Sequence, residues 1–209
     1  GDIYLYFVCE TSENEVLART GKSVGFDFGL KIFLNASDGR DIASPLFFKQ
    51  NANAIKMANR NLSRKAKGSN SRKKAKIALA RLHKKVANQR DNFHWQTANK
   101  LVGEYALICI EDLNLKAMQK RFGRKISDLG FADFVNKLKY MAHRKGTSVV
   151  EIDRFFPSSQ LCSECGYRNT ETKNLKIRKW TCPRCGNTHN RDRNASINIE
   201  REGRRIFFA

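Results

Sequence analysis

The chain has 209 residues, which is enough for one substantial domain and a small one. Forty Lys and Arg against twenty Asp and Glu give a formal net charge of +20, which a compact protein carries most readily when a polyanion shares it. We therefore expect nucleic acid as a partner. The sequence contains no signal peptide, lipidation motif or long apolar run, so we expect no membrane partner and a cytoplasmic location.

The chain begins with predicted strands. Residues 3–9 are rich in aromatic and β-branched types, and residues 24–34 form a second run of this kind. An Asp-Gly turn at 38–39 and extended chain at 42–48 follow. Residues 24–48 together predict a short antiparallel meander.

Residues 49–90 carry fourteen Lys and Arg and no Asp or Glu. They predict two helical arms with a break at 67–71. A solvated helix face normally mixes signs, because like charges four residues apart repel, so phosphate binding is the favoured interpretation. Trp95 and Trp180 are candidates for stacking on bases, although packing is the favoured role of Trp180. The candidate nucleic-acid-binding residues are Arg64, Lys65, Lys67, Arg72, Lys73, Lys74, Arg81, Lys84 and Lys85.

The middle of the chain predicts a sheet layer covered by helices. The continuous apolar run at 105–110 is typical of a buried central strand. An amphipathic helix at 131–144, a strand at 147–152 and a helix at 190–199 follow. Strands that alternate with helices after a meander predict an α/β fold.

Three acids occupy positions that this fold would bring together. Asp27 lies in an early strand, Glu111 ends the buried strand, and Asp192 lies at the start of the last helix. Three neighbouring carboxylates repel, and Mg²⁺ or Mn²⁺ would relieve that repulsion. Two such ions per site can hydrolyse a phosphodiester, so the acids and the basic charge together predict a nuclease.

Each acid also has an ordinary structural interpretation. An Asp near a strand end is commonly a turn cap, and Asp192 is placed where a helix N-cap could lie. Glu111 is followed by Asp112, and strand alternation allows only one of them to share a face with Asp27. Asp153 follows a strand in the same way and is interpreted as structural.

Two C-x-x-C pairs with sixteen residues between them have the spacing of a four-thiolate zinc site. Gly166 and Gly186 follow the second cysteine of each pair, where a tight turn needs a flexible backbone. Two disulfides are the alternative, disfavoured in a lysine-rich chain without a signal peptide. Cys9 and Cys109 lie in apolar runs and are expected to be reduced core residues. The ligands of one structural zinc per chain would be Cys162, Cys165, Cys182 and Cys185.

Seven motifs occur in a characteristic order: GFDFG at 25–29, LSRKxKGS at 62–69, NQRDNF at 88–93, IEDLN at 110–114, SSxxCxxCG at 158–166, CPxCG at 182–186 and RDxNAxxNI at 191–199. In order and spacing they resemble the TnpB (OrfB) proteins. Bacterial and archaeal transposons encode these proteins, from whose relatives the type V CRISPR effectors derive.

The resemblance implies a RuvC-like nuclease domain of RNase H fold, with a mixed sheet, flanking helices, a basic helical insertion and an inserted zinc-ribbon-like module. It implies RNA-guided cleavage of double-stranded DNA beside a short transposon-associated motif, with DNA and guide RNA as partners and a nucleoid-associated location. Carried over residue by residue, Asp27, Glu111 and Asp192 match the catalytic triad, and the four cysteines match the zinc ligands.

The expected organisation follows from the same resemblance. Residues 1–22 would be a remnant strand of a preceding domain, and 23–160 the RuvC-like domain with its insertion at 49–100. Residues 161–187 would be the zinc module, and 188–209 the last RuvC motif with the C-terminal helix.

The chain departs from the family pattern in two ways. Family members commonly have His-Asp-Arg-Asp where residues 189–192 read His-Asn-Arg-Asp. The acid assigned as the metal ligand, Asp192, is retained, so this departure concerns the fine tuning of the site more than its activity. Relatives also carry a substantial amino-terminal part that binds guide RNA. We therefore expect a fragment or a miniature form that does not perform guided cleavage alone. A non-catalytic guided repressor and a DNA-joining transposase are the alternative functions.

Overall fold

The computed structural model describes residues 5, 7, 8, 21–114, 120 and 123–209. Most of the predicted strand at 3–9, together with Cys9, lies outside the described residues. No helix in the described ranges is both long and apolar enough to cross a bilayer.

A five-stranded mixed sheet forms the centre of the described structure. Its strands lie in the order β3-β2-β1-β4-β5; β1, β2 and β3 pair antiparallel, whereas β1, β4 and β5 are parallel. The strands are β1 (Ser23–Phe28), β2 (Ile32–Ala36), β3 (Ile42–Ala43), β4 (Leu107–Glu111) and β5 (Ser148–Ile152). The predictions of a meander, a buried central strand and an α/β fold are confirmed.

Two predicted boundaries in the meander were wrong. The run at 24–34 is not one strand, because the chain turns at 29–31 and β2 returns antiparallel to β1. The extended segment predicted at 42–48 ends after Ala43, and a helix begins at Phe47. Adjacent aromatic side chains at the start of this helix gave the segment its strand-like composition.

One face of the sheet is covered by three helices: α2 (Asn70–Glu104), α3 (Arg124–Leu129) and α4 (Phe131–Lys145). Side chains at alternate positions of a strand point to opposite faces, so Phe26 and Phe28 of β1 and Ile110 of β4 enter the same core. Phe131 and Phe134 of α4 pack into it, with ring centroids 5.0 and 6.3 Å from that of Phe28. The buried centre of the molecule therefore lies on this side.

The opposite face is covered by the last helix, α5 (Arg191–Phe207), which crosses β1, β4 and β5. A Cβ atom on Gly25 of β1 would lie 2.2 Å from the carbonyl oxygen of Ser196 and 2.5 Å from the backbone nitrogen of Glu200. Glycine is therefore required at position 25 for α5 to lie against the strand. The Glu200 carboxylate accepts hydrogen bonds from the hydroxyls of Ser23 and Ser37 and fixes the helix to the sheet.

A long helical hairpin extends from the sheet. It consists of α1 (Phe47–Ser63) and α2, whose 35 residues make it about 50 Å long. The break predicted at 67–71 overlaps the turn between the helices, and Ser69 is the N-cap of α2 because its hydroxyl accepts a hydrogen bond from the Arg72 backbone. Farther along α2, Ala98, Leu101 and Val102 are buried in the sheet core. The helix therefore belongs partly to the basic hairpin and partly to the central domain.

The cysteine-rich segment forms a small module between β5 and α5. It contains a 3-10 helix (Thr170–Lys173) and a two-stranded antiparallel sheet of β6 (Lys179–Thr181) and β7 (Thr188–Asn190). Its second strand leads directly into α5, so the module and the last helix are continuous in the chain.

Candidate active site

Asp27 and Glu111 lie side by side at the carboxyl ends of two parallel strands. β1 and β4 pair in a register that places Phe26 opposite Ile110, so the next residue on each strand is one of these acids. Phe26 and Ile110 face the aromatic core, which directs Asp27 and Glu111 to the α5 face. Asp112 instead pairs with Arg154 and is not the acid that shares a face with Asp27.

Asp192 joins them from the first turn of α5. The alternative that Asp192 is the N-cap is wrong, because the Asn190 side-chain oxygen accepts hydrogen bonds from the backbone nitrogens of Asp192 and Arg193, both at 3.1 Å. The asparagine that departs from the family pattern therefore caps the helix as an aspartate would. The Asp192 carboxylate is left available for another role.

The three acids line one pocket of about 400 Å³. The structure brings the three acids together at one place, as the sequence predicts. The remaining lining residues come from the segment after β5 and from α5: Arg154, Phe155, Phe156, Pro157, Ser158, Ser159, Gln160, Arg191 and Ala195.

Burial and neighbouring negative charge disfavour the ionised forms of two of the three pocket carboxyls. Burial raises the pKa of Asp27 to about 8, with further contributions from the negative charges of Asp192 and Glu111. Burial, and then the nearby charge of Asp112, raises the pKa of Glu111 to about 7. Near neutral pH the two carboxyls thus hold protons that a bound cation would displace.

Two arginines contact acids around the pocket: Arg154 pairs with Asp112, and Arg178 pairs with Asp192. The Arg178 guanidinium lies 3.1 Å from each carboxylate oxygen of Asp192, and Arg178 belongs to the cysteine-rich module. Its position was not predicted, because one arginine among forty basic residues carries no distinguishing sequence signal. Asp153 has the structural role expected of it, since its side chain accepts a hydrogen bond from the Phe155 backbone at 2.6 Å.

The four predicted zinc ligands form a compact cluster. Their sulfur atoms all lie within 4.8 Å of one another, and none of the four is in a disulfide. The distances from Cys162 to Cys185 and from Cys165 to Cys182 are both 3.6 Å. Four thiolates about 2.3 Å from one ion would lie about 3.8 Å apart, so the cluster fits a tetrahedral zinc. Among the described residues, no other group of three or more His, Cys, Asp or Glu side chains brings its ligand atoms as close together.

The cluster is supported by its own backbone and by one histidine. Gly166 and Gly186 have φ angles of 74° and 75°, the left-handed conformation that their turns require. His189 places Nε2 3.0 Å from the Cys162 sulfur, where it would donate to a thiolate. Trp180 is buried and packs against His189 with ring centroids 4.9 Å apart, so the packing interpretation of this tryptophan is confirmed.

Two asparagines of α5 connect the module to the acid pocket. Asn194 donates to the Leu161 carbonyl at 2.6 Å and accepts from the Ser163 backbone at 2.8 Å. Asn198 donates to the carbonyls of Ser158 and Leu161 at 2.8 and 2.7 Å. Both are buried and lie one helical turn apart, so they hold the segment before the first cysteine pair against α5. The sequence contains this NxxxN spacing, but its bonding partners could not be inferred from it.

The candidate nucleic-acid-binding residues cluster around the hairpin turn and along the following half of α2. Arg72 is half-buried and donates to the carbonyls of Leu62 and Lys65 at 2.9 and 3.0 Å, so it stabilises the turn. Trp95 lies elsewhere, edge-on to Tyr140 of α4 at 5.7 Å. The exposed members of the predicted set are Arg64, Lys65, Lys67, Lys73, Lys74, Arg81, Lys84 and Lys85.

Two family models together match most of the chain. The OrfB model, described as "Probable transposase", matches residues 6–121, and the model "Cas12f1-like, TNB domain" matches residues 131–199. The first contains Asp27 and Glu111, and the second contains Asp192 and the four cysteines.

Named relatives agree with these models. A Streptomyces pristinaespiralis protein named "Putative RNA-guided DNA endonuclease" is 36% identical over 95% of this chain and 49% of its own length. An Escherichia coli protein named "Putative RNA-guided DNA endonuclease InsQ" is 28% identical over 99% of this chain and 55% of its own length. The chain thus spans about half the length of these relatives.

Solved structures share the fold. A cryo-EM structure titled as a Cas12f1-sgRNA-target DNA complex superposes with a TM-score of 0.60 at 18% identity, covering 92% of this chain and 51% of that one. A CRISPR-Cas12f ternary complex gives a TM-score of 0.61 at the same identity and covers 40% of that chain. From the family models, the motifs and the named relatives taken together, we conclude that the chain belongs to the TnpB/OrfB transposase family.

Proposed function

We propose that the chain is the DNA-cleaving part of a TnpB-like RNA-guided nuclease, a metal-dependent endodeoxyribonuclease that hydrolyses phosphodiesters by a two-metal mechanism. The observation that carries this proposal is the meeting of Asp27, Glu111 and Asp192 at one pocket, from two parallel strands and a helix far apart in sequence. An antiparallel meander followed by parallel strands also supports a RuvC-like domain of RNase H fold.

The acids fit divalent cations by their chemistry. Their ligand atoms are hard carboxylate oxygens, the type that Mg²⁺ and Mn²⁺ prefer. Burial first, and neighbouring negative charge second, raise the pKa values of Asp27 and Glu111, and this supports a cation in the pocket, because a cation would favour their ionised forms. When bound, two such ions would supply an activated water and stabilisation of the leaving oxygen.

The chain itself would position the substrate. The exposed Lys and Arg side chains of the hairpin would bind backbone phosphates, the sequence-independent part of nucleic-acid affinity. The cysteine module, with one structural zinc, would hold Arg178 beside Asp192 and the segment 158–160 along the pocket. In the isolated chain we expect cleavage of single-stranded DNA rather than guided cleavage.

DNA and guide RNA are the proposed partners of the longer protein. Two relatives are named as RNA-guided DNA endonucleases, and the solved Cas12f1 structure contains a single guide RNA and target DNA. Residues 23–160 and 188–209 would form the RuvC-like domain, and residues 161–187 the zinc module.

The alternatives differ in what they require of the acids. A non-catalytic repressor would not need all three acids, and here all three line the pocket. A transposase that joins DNA ends would use the same metal chemistry as a hydrolase, so only the products distinguish the two.

The test compares cleavage with binding in matched variants. We expect the wild-type chain to cleave labelled single-stranded DNA in Mn²⁺, and EDTA to stop the reaction. Asp27→Ala and Glu111→Ala should each lower the cleavage rate by at least about 10³-fold while DNA affinity changes by less than about twofold, because hairpin contacts dominate affinity. The measurements are gel-based product analysis and fluorescence anisotropy.

Glu202→Ala is the matched control. Glu202 lies on α5 outside the pocket and pairs with Arg205, so its removal should leave the cleavage rate unchanged. Undiminished cleavage by both pocket variants would refute the proposal, whereas ligated products in place of shortened ones would favour the transposase.

A further inference from the structure

Phe155 is an aromatic side chain with no packing role that explains it. It follows β5 and is 85% exposed, whereas its neighbour Phe156 packs against the small core of Leu107, Cys109, Ile152 and Ile199. Exposing a phenylalanine to this extent forgoes most of the free energy that its burial would provide.

The loop that carries Phe155 is held in place on both sides. The Asp153 carboxylate accepts a hydrogen bond from the Phe155 backbone, and the Asp153 carbonyl accepts one from the Phe156 backbone at 3.0 Å. The Arg154 side chain is bound by the Asp112 carboxylate. The ring of Phe155 is therefore presented by a fixed backbone rather than by a loose loop.

Phe155 also lines the same pocket as the three acids. A strand whose phosphate lies at the acids must place a base on one side of its backbone, within reach of the pocket wall. Exposed aromatic rings beside a phosphate-binding site are the usual platforms for single-stranded bases, since every base has a π face. Two other exposed aromatics, Trp95 and Tyr140, face each other across α2 and α4 and do not line the pocket.

We propose that Phe155 forms a base-stacking subsite that holds one nucleotide of single-stranded DNA next to the position of cleavage. This inference rests on the proposed function for the location of the phosphate. Phe155 acts as a positioning residue for the strand, and it recognises the face of a nucleobase without selecting its sequence.

The experiment measures binding without cleavage, in Ca²⁺, with short labelled oligonucleotides that are either intact or carry one abasic position scanned along the strand. We expect Phe155→Ala to weaken binding of the intact strand by about tenfold. Phe155→Trp should retain wild-type affinity, and Phe155→Leu should resemble Phe155→Ala because it keeps bulk and loses the ring.

The abasic strands provide the decisive comparison. For one position of the abasic site, the wild-type chain should bind the abasic strand as weakly as Phe155→Ala binds the intact strand. Phe155→Ala should bind that abasic strand and the intact strand with equal affinity. Phe208→Ala is the control, because Phe208 is 72% exposed but lies at the end of α5 and does not line the pocket. It should leave affinity unchanged.

Two outcomes would overturn the subsite. The first is that Phe155→Ala and wild type bind intact DNA with equal affinity. The second is that Phe155→Ala lowers the affinity by the same factor for intact DNA and for every abasic strand of the scan. Cleavage that depends on Asp27 but not on Phe155 would refute the subsite and leave the proposed nuclease intact. Base-dependent binding through Phe155 without any cleavage would support base stacking by Phe155, but it would refute the nuclease and with it the placement of that base beside a position of cleavage.

Discussion

The molecule contains two candidate metal sites that are built in opposite ways. The cysteine cluster takes four ligands from two short turns, and their sulfur atoms lie within 4.8 Å of one another. The acid pocket takes its three carboxylates from β1, β4 and α5. In the described structure these carboxylates lie farther apart than the four sulfur atoms do. One site is nearly complete as folded, whereas the other leaves room for further ligands.

This difference agrees with the structural role proposed for the first site and the catalytic role proposed for the second. A closed set of four soft ligands leaves no position for a substrate, as expected of a metal that stabilises a fold. A metal ion held by an open set of hard oxygens would gain its missing ligands from water and from substrate phosphate. The two sites are coupled physically, because Asn194 and Asn198 of α5 bond to the start of the module.

The largest effect is expected at the cysteine cluster. Cys182→Ser should lower zinc affinity by more than about 100-fold and unfold the module, because the small module has little core apart from its metal. Zinc content by mass spectrometry and hydrogen exchange over residues 162–190 measure the two effects.

Cys109→Ala is the matched control for that variant. Cys109 is a buried thiol that packs with Leu107, Ile152 and Ile199 in the core under α5, and it is not part of the cysteine cluster. Its removal should leave one zinc per chain. Loss of zinc in the control, or its retention in Cys182→Ser, would contradict the assignment of the four ligands.

Gly25→Ala should damage the acid pocket and spare the cysteine cluster. Its new Cβ would collide with the backbone of α5, which must move and carry Asp192 away from Asp27. We expect a loss of about 3 kcal/mol in the free energy of unfolding, measured by urea denaturation, with zinc content unchanged.

Gly103→Ala is the corresponding control. Gly103 is exposed near the end of α2, and nothing lies within 4 Å of the Cβ that it would gain. This change should stabilise the chain by up to about 1 kcal/mol. Equal effects of the two substitutions would show that the contact between β1 and α5 does not constrain the pocket.

The same contrast explains what the sequence could predict. The cysteine cluster was predictable because its spacing is local, and the acids were predictable because strand ends and a helix start are marked by apolar patterns. The roles of Arg178 and Asn198 were not, since their partners lie in other elements. Residues 154–157 contain two adjacent aromatics, and only the loop geometry decides that Phe155 is the exposed one.

Errors in the fold have similarly local causes. The turn at 29–31 separates two apolar strands without the Asn-Gly or Asp-Gly pair that usually marks a hairpin. The start of α1 follows Leu46, whose φ of 49° is unusual for a residue with a side chain. Neither feature has a clear sequence signal.

The pH dependence of stability should reveal the cost of ionising Asp27 in the acid pocket. Because the folded-state pKa of Asp27 is raised to about 8, its stabilising effect is present below its ordinary pKa and is lost as pH rises toward 8. Without Mg²⁺ or Mn²⁺, Asp27→Asn should therefore gain stability relative to wild type between about pH 5 and pH 8, by at most about 1.4 kcal/mol per pH unit.

Urea denaturation at several pH values measures this difference, with Glu202→Gln as the control that should show no such trend in that range. Added Mn²⁺ should reduce the relative gain of Asp27→Asn at pH 8, because only the wild-type carboxylate binds the ion. If the difference in the free energy of unfolding between Asp27→Asn and wild type stayed constant with pH, the pKa of Asp27 would not be raised in the folded protein.

The smallest effect concerns Arg178, the contact between the two regions. Its ion pair with Asp192 is largely exposed, so Arg178→Gln should change the free energy of unfolding by less than about 1 kcal/mol. The guanidinium nevertheless occupies both oxygens of Asp192, and a divalent cation must compete with it there. At pH 9, where Asp27 is mostly ionised, Mn²⁺ affinity of the variant should rise by about two- to fivefold, the equivalent of one exposed ion pair.

Titration calorimetry measures this change, and Arg205→Gln is the control because Arg205 pairs with Glu202 away from the pocket. The gain should shrink in high salt, since screening weakens an exposed pair before it weakens direct coordination of an ion. Unchanged or weaker Mn²⁺ binding by Arg178→Gln would mean that Asp192 coordinates the ion without releasing the arginine. In that case the zinc module would assist metal binding at the acid pocket instead of competing with it.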